Sequence, residues 1–192
     1  MPNVPTSFRG ARFQLLTLLA TAIMFTGQWL ALAADSPATK PSIIRIKCGA
    51  TTQMTDSAGN VWLADQGFAD GEVTERDADM QITNTKDPAL YRTEHYSMTA
   101  FSWPLPNGKY TVKLHFAETY EEVANKGDRV FSFNVEGKEF KDFDVMAKAG
   151  GVKKVYIETV PVVITDGKLD ITFTAKEQNP EINAIEIIPG GP

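Results

Sequence analysis

The chain has 192 residues, of which 43% are hydrophobic and 22% charged, and its formal net charge is −5. These values belong to a folded chain rather than a disordered one, and the acidic balance argues against nucleic-acid or anionic-membrane binding, which need a basic surface. A single Cys excludes an internal disulfide framework and an all-Cys zinc site, and two His exclude most His-rich metal sites.

Residues 1–34 carry Arg9 and Arg12 and no acidic residue, and from Phe13 the segment is mostly apolar up to Ala31-Leu32-Ala33. A positive start, an apolar stretch and an A-x-A site form a secretory signal, with cleavage expected after Ala33 or Ala34. A retained signal anchor is the alternative, because the stretch approaches the roughly 20 residues that span a bilayer. A lipoprotein is excluded, since the only Cys, Cys48, lies too far downstream. Residues 35–42 read as a short Pro-containing linker, and residues 43–190 as one domain with no further membrane-spanning stretch. Removing residues 1–34 leaves a net charge of −7. Cys48 then has no partner, and a buried, inert thiol is expected.

Strand signals recur through the domain, separated by Gly, Pro and Asn. Ile43–Lys47 places Ile44 and Ile46 on one face. Thr93–Trp103 reads as one long extended segment, and Pro104–Gly108 as a turn into Lys109–Ala117, where Tyr110, Val112, Leu114 and Phe116 alternate with polar positions. Val130–Val135 repeats the alternation with Phe131, Phe133 and Val135 inward. Glu136-Gly137 then forms a tight hairpin into Lys138–Phe143. Val155–Ile164 contains Pro161, which marks an edge or a bulge. Asp166-Gly167 turns into Lys168–Thr174, with Leu169, Ile171 and Phe173 on one face. The near-continuous apolar run Ile182–Ile188 reads as a strand buried on both sides. No 12-residue segment has a helical period. About eight strands, each with one apolar face, predict an all-β, two-sheet antiparallel β-sandwich. At about 150 residues such a domain buries enough surface to fold without a metal or disulfide.

The expected hairpin Thr93–Ala117 sets Tyr96 across from roughly residue 116 and brings Tyr120 out at the same end as Tyr91 and Tyr96. The polar segment Glu118–Asp128 is long for a hairpin loop, and such loops are often functional. Aromatic rings beside carboxylates and amides suit a sugar: the ring packs on pyranose C–H groups while Asp, Glu, Asn or Gln bond the hydroxyls. The plainer reading is that each Tyr packs at a core edge with its hydroxyl in water. Asp56–Asn60 lacks the ligand positions of an EF-hand and reads as a turn aiming Trp62 at the core. His95 and His115 are expected to be solvent-exposed. Glu118, Glu121 and Glu122 could supply the two acids of a glycosidase, but in so acidic a domain a solvated loop is the simpler account. No G-x-S-x-G elbow, P-loop or Rossmann fingerprint appears.

Segments with compatible order and spacing resemble a malectin domain over Ile44–Pro189. They include Ile46-Lys47-Cys48-Gly49, Asp56–Phe68, Tyr91–Tyr96, Asn107–Glu118, Arg129–Lys138, Asp142–Val145 and Asn179–Ile185. The resemblance implies a galactose-binding-like (jelly-roll) sandwich that binds sugar without catalysis. It also implies binding aromatics at Tyr96 and Tyr120. The residue after the second aromatic is Phe in the animal member and Glu121 here. The acidic contact before Asn-Pro corresponds to Gln178, and a binding Tyr upstream, around Glu75–Met80, has no counterpart.

The expectation is a non-enzymatic, secreted or periplasmic carbohydrate-binding module, membrane-anchored if the signal is uncleaved. Tyr96 and Tyr120 would stack on sugar, and Glu121, Gln178 and Asn179 would bond hydroxyls. The partner would be an oligosaccharide or glycan, with no nucleic acid, cofactor or metal. The alternative is a protein-interaction or cell-surface scaffold module that has lost the sugar site.

Overall fold

The computed structural model describes residues 42–190. The expected signal and the linker up to residue 41 lie outside the described residues.

Two four-stranded antiparallel sheets form the body. The first has the order β1 (Ile44–Lys47), β13 (Ala184–Pro189), β7 (Gly108–Phe116), β10 (Tyr156–Ile164). The second has the order β6 (Ala100–Pro104), β11 (Lys168–Glu177), β8 (Val130–Val135), β9 (Lys138–Phe143). Val112, Leu114 and Phe116 of β7 face Phe131, Phe133 and Val135 of β8 and Leu169 and Ile171 of β11 in one buried core. Rings of Phe116, Phe131, Phe133 and Phe143 lie 5.0–6.2 Å apart at its centre. The β-sandwich expected from the alternating pattern is therefore the observed architecture.

Several local expectations are met. Glu136 and Gly137 both take positive φ, 50° and 82°, as a two-residue turn between β8 and β9 requires. Of the expected strand Ile182–Ile188 only the part from Ala184 forms central β13, which lies between β1 and β7 and is buried over Ala184–Ile187, while Ile182 falls in a separate short strand. Pro161 lies on the edge strand β10, and Lys138 of the other sheet reaches its carbonyl oxygen. Cys48 is fully buried, and burial pushes its thiol pKa up.

The long strand expected over Thr93–Trp103 is instead broken. Ser97 adopts φ 61°, and β5 (Thr93–Tyr96) ends there. β6 then joins the second sheet and pairs with β11. Neither half pairs with β7, because β13 and β10 occupy both edges of that strand. The expected hairpin does not form, and Pro104–Gly108 crosses between sheets. The chain also has more strands than the eight expected. The additional ones are short: β2 (Met54–Thr55), β3 (Val61–Trp62), β4 (Glu72–Glu75) and β12 (Glu181–Ile182).

β12, β5 and β4 form a small sheet in that order. Its junction with the body is Asn183, which is fully buried. The side-chain amide donates to the carbonyls of Thr93 (3.0 Å) and Tyr91 (3.3 Å), and its oxygen accepts from the Ala117 amide (2.6 Å). One side chain thus joins the start of β5 to the end of β7. Gly49 secures β5 from the other side: it has φ 77°, and a Cβ there would lie 2.5 Å from the Glu94 carbonyl oxygen.

Candidate functional site

Residues directly opposite in an antiparallel sheet project to the same face. The registers Glu72↔Tyr96↔Glu181 and Thr74↔Glu94 therefore put five side chains on one face of the small sheet. Above that face lies a cavity of about 200 Å³. Thr74, Glu94 and Tyr96 line it from the sheet, Arg76 from just beyond the end of β4, Tyr120 and Arg129 from the segment after β7, and Gln178 and Asn179 from the segment after β11. Four of the five residues singled out from sequence, Tyr96, Tyr120, Gln178 and Asn179, thus meet at one cavity. Glu121 is exposed and lines an adjoining cavity of about 390 Å³ with Glu75, Asp77 and Glu122, while Arg76 and Tyr120 border both.

The two rings share a rim for a different reason from the expected hairpin. Asn183 ties Ala117 to the start of β5, and three residues later the chain reaches Tyr120. Tyr91 does not join them. It is buried, and its hydroxyl bonds His115 Nδ1 at 2.8 Å.

The floor is a network of charges. Arg76 donates from Nη2 to Glu94 Oε1 (2.6 Å) and from Nε to Thr119 Oγ1 (3.0 Å), and Thr119 donates to Glu94 Oε2 (2.8 Å). Arg129 donates from Nε to Glu118 Oε2 (2.7 Å) and from Nη1 to the Asn179 carbonyl (2.5 Å). The other Glu118 oxygen accepts the Tyr120 amide at 2.9 Å. Both guanidinium carbons lie within 6 Å of the Tyr120 ring centre, at 5.8 and 5.9 Å, a spacing that orients the ring by cation–π attraction. Glu94 and Glu118 are buried. Burial pushes the Glu118 carboxyl up against the pull of Arg129. Tyr96 donates to Glu72 at 2.7 Å, and that bond raises its phenol pKa; Glu122 does the same for Tyr120.

The expected acidic loop is therefore divided. Glu121 and Glu122 are solvated, whereas Glu118 is structural. Arg76, Glu94 and Arg129 were given no role from sequence. The available signal was the period of two in β5, which puts Glu94 on the face of Tyr96.

Both histidines are buried rather than exposed. His95 donates from Nδ1 to both oxygens of Asp65 (3.1 Å) and from Nε2 to the Asp70 carbonyl (2.9 Å), and stacks on Phe68 at 3.8 Å. Both nitrogens face acceptors, an arrangement that favours the doubly protonated, charged ring. Burial opposes that charge, and the bonds to Asp65 and Asp70 outweigh it and raise the pKa. His115 bonds Tyr91 and Glu186. The Asp56 turn behaves as expected: its carboxylate accepts Trp62 Nε1 at 2.9 Å, and Trp62 is buried.

Comparisons with known proteins fit this architecture. The chain is 41% identical over 103 residues to a probable leucine-rich repeat receptor-like serine/threonine-protein kinase of Arabidopsis thaliana, covering 49% of this chain and 10% of that protein. The chain thus spans about a tenth of the length of that curated relative. Among solved structures, Bacteroides uniformis beta-glucuronidase superposes with a TM-score of 0.70 at 18% identity, covering 78% of this chain and 18% of that one. A chain in the crystal structure of the plant peptide RALF23 in complex with FER and LLG2 gives a TM-score of 0.64 at 18% identity, covering 76% and 48%. At such identities these two likenesses concern the fold alone. The Malectin domain matches residues 42–188, so the chain belongs to the malectin-domain family.

Proposed function

We propose that the chain is an extracellular, non-catalytic carbohydrate-binding module whose ligand lies in the cavity between Tyr96 and Tyr120. The observation that carries this reading is the convergence of two partly exposed phenol rings with the Gln178 and Asn179 amides on one cavity. The rings offer apolar faces to sugar C–H groups, and the amides supply both donors and acceptors for hydroxyls. A catalytic role is disfavoured because Glu94 and Glu118 are each tied to an arginine, which leaves no acid–base pair facing the cavity. The signal-like composition of residues 1–34 and the kinship with receptor-like kinases support an extracellular location. Among the described residues no helix is long and apolar enough to cross a membrane.

A second reading is a protein- or peptide-interaction module. The acidic cavity beside Tyr120 favours it, as does the likeness to a chain from a peptide–receptor complex.

Calorimetric titration with malto-, nigero- and cello-oligosaccharides tests the first reading. We expect a Kd between about 10 µM and 1 mM, because a small solvated ligand buries little area. Tyr120→Ala should remove binding with an unchanged melting curve. Silence towards every glycan, together with sugar-insensitive capture of one exported protein, would select the second.

A further inference from the structure

The cavity is walled by two segments that are far apart in sequence, and one buried side chain touches both. Arg129 grips the Asn179 carbonyl through Nη1 at 2.5 Å and Glu118 through Nε at 2.7 Å. Glu118 in turn holds the Tyr120 amide at 2.9 Å. Arg129 is only 4% exposed. The Asn179 segment needs such a grip, because Gln178 adopts φ 58°, a left-handed conformation costly for a side chain with a Cβ. Pro180 follows directly and restricts Asn179 to extended geometry.

From this we infer that Arg129 is the positioning residue of the groove: one guanidinium sets the distance between the Tyr120 wall and the Gln178–Asn179 wall. The inference rests on the carbohydrate-binding reading and adds the device that shapes the site. Only arginine serves, because two donors of one rigid planar group must reach acceptors on two different segments. A lysine keeps the charge near Glu118, but its three donors radiate from one ammonium nitrogen and cannot reproduce the separate Nε and Nη1 positions that meet the two walls.

The test uses two variants of the described domain preceded by its native N-terminal segment. Arg129→Lys retains the ion pair with Glu118 and should weaken binding of the tightest-binding oligosaccharide among the malto-, nigero- and cello- series at least tenfold. Adding Gln178→Ala to Arg129→Lys should cost almost nothing further, although Gln178→Ala alone weakens binding, because the wall that presents Gln178 is already displaced. Should Arg129→Lys fail to fold, the double variant Arg129→Gln/Glu118→Gln removes both charges together and leaves no buried ion unpaired. It should melt near the parent and show the same loss.

A second readout needs no ligand. NMR relaxation of Gln178 and Asn179 should report a wall that is rigid in the parent and mobile in either variant, while β8 and β11 stay unchanged. Parent-like affinity, or an unchanged relaxation profile at Gln178 and Asn179, overturns the inference. If the parent binds no oligosaccharide, the carbohydrate reading fails and the relaxation measurement alone decides the role of Arg129.

Discussion

Replacing Glu181 by Gln should make the protein more stable at neutral pH and remove part of its pH dependence. Glu181 is fully buried, and neither carboxyl oxygen has a hydrogen-bond partner among the described residues. Its charged neighbours are Glu94 and Glu118, which repel a further negative charge, and Arg76 and Arg129, which are already bonded to those two carboxylates. Burial, and after it the two carboxylates, push the Glu181 pKa well above the ordinary carboxylate value of 4.5. The folded protein therefore keeps this proton at a pH where the unfolded chain, titrating near 4.3, has released it. The group's contribution is complete below that value and is lost as pH rises towards the folded pKa, at about 1.4 kcal/mol per pH unit. That slope is the largest a single group can contribute, and it holds only between the two pKa values. Gln has nearly the same shape and no titration, so the stability difference between variant and parent should grow in favour of the variant as pH rises above 4.5. Urea unfolding of both proteins at half-unit pH steps measures that difference. A flat difference, or one that turns against the variant as pH rises, would show that Glu181 is ionised and paired, and would refute the reasoning.

Other expectations concern the core and its outworks. Phe133→Ala, at the centre of the phenylalanine cluster, should cost about 3–5 kcal/mol in urea unfolding. Asp56→Ala strips the Trp62 indole of its acceptor and should cost about 1–3 kcal/mol. The bonds from Trp62, Asn60 and Ala58 hold the Asp56 carboxyl at about 2 despite the opposing effect of burial. The parent should thus keep this contribution above about pH 4 and lose it as pH falls towards 2, a slope that the variant lacks. His95 should titrate above the usual 6.5 when its ring protons are followed by NMR. Its contribution is full below 6.5 and is lost as pH rises through the folded value; a titration at or below 6.5 would contradict the stabilisation of the charged ring by Asp65 and Asp70.

The body of the fold is legible because its strands obey a period of two: Phe131, Phe133 and Val135 alternate with polar residues, and those same positions are buried. The small sheet is not, because β12 and β4 have two and four residues, too few for a period to be read. Ser97 misleads for a related reason. A serine with positive φ carries no mark in the sequence, unlike a glycine, and the break follows from a tertiary bond, its amide donating to the Pro180 carbonyl at 2.9 Å. Tyr96 and Tyr120 stand out as aromatics near loops, and the family resemblance names them. Arg129 and Glu94 do not, since a charged residue that pairs in the interior looks the same in sequence as one in solvent. The histidines fail in the same way: their acceptors, Asp65 and Glu186, lie 30 and 71 residues away.

Pro161 has a consequence for the molecule at high concentration. It stands midway along the nine-residue border strand β10, opposite Thr111. A proline has no amide hydrogen to offer an incoming strand, and here the carbonyl that could accept from one is already claimed by the Lys138 ammonium. The longest open margin of the sandwich is thereby interrupted at its centre, so a second copy cannot zip along it in continuous register, and neighbouring modules can crowd together on a surface without fusing into a shared sheet.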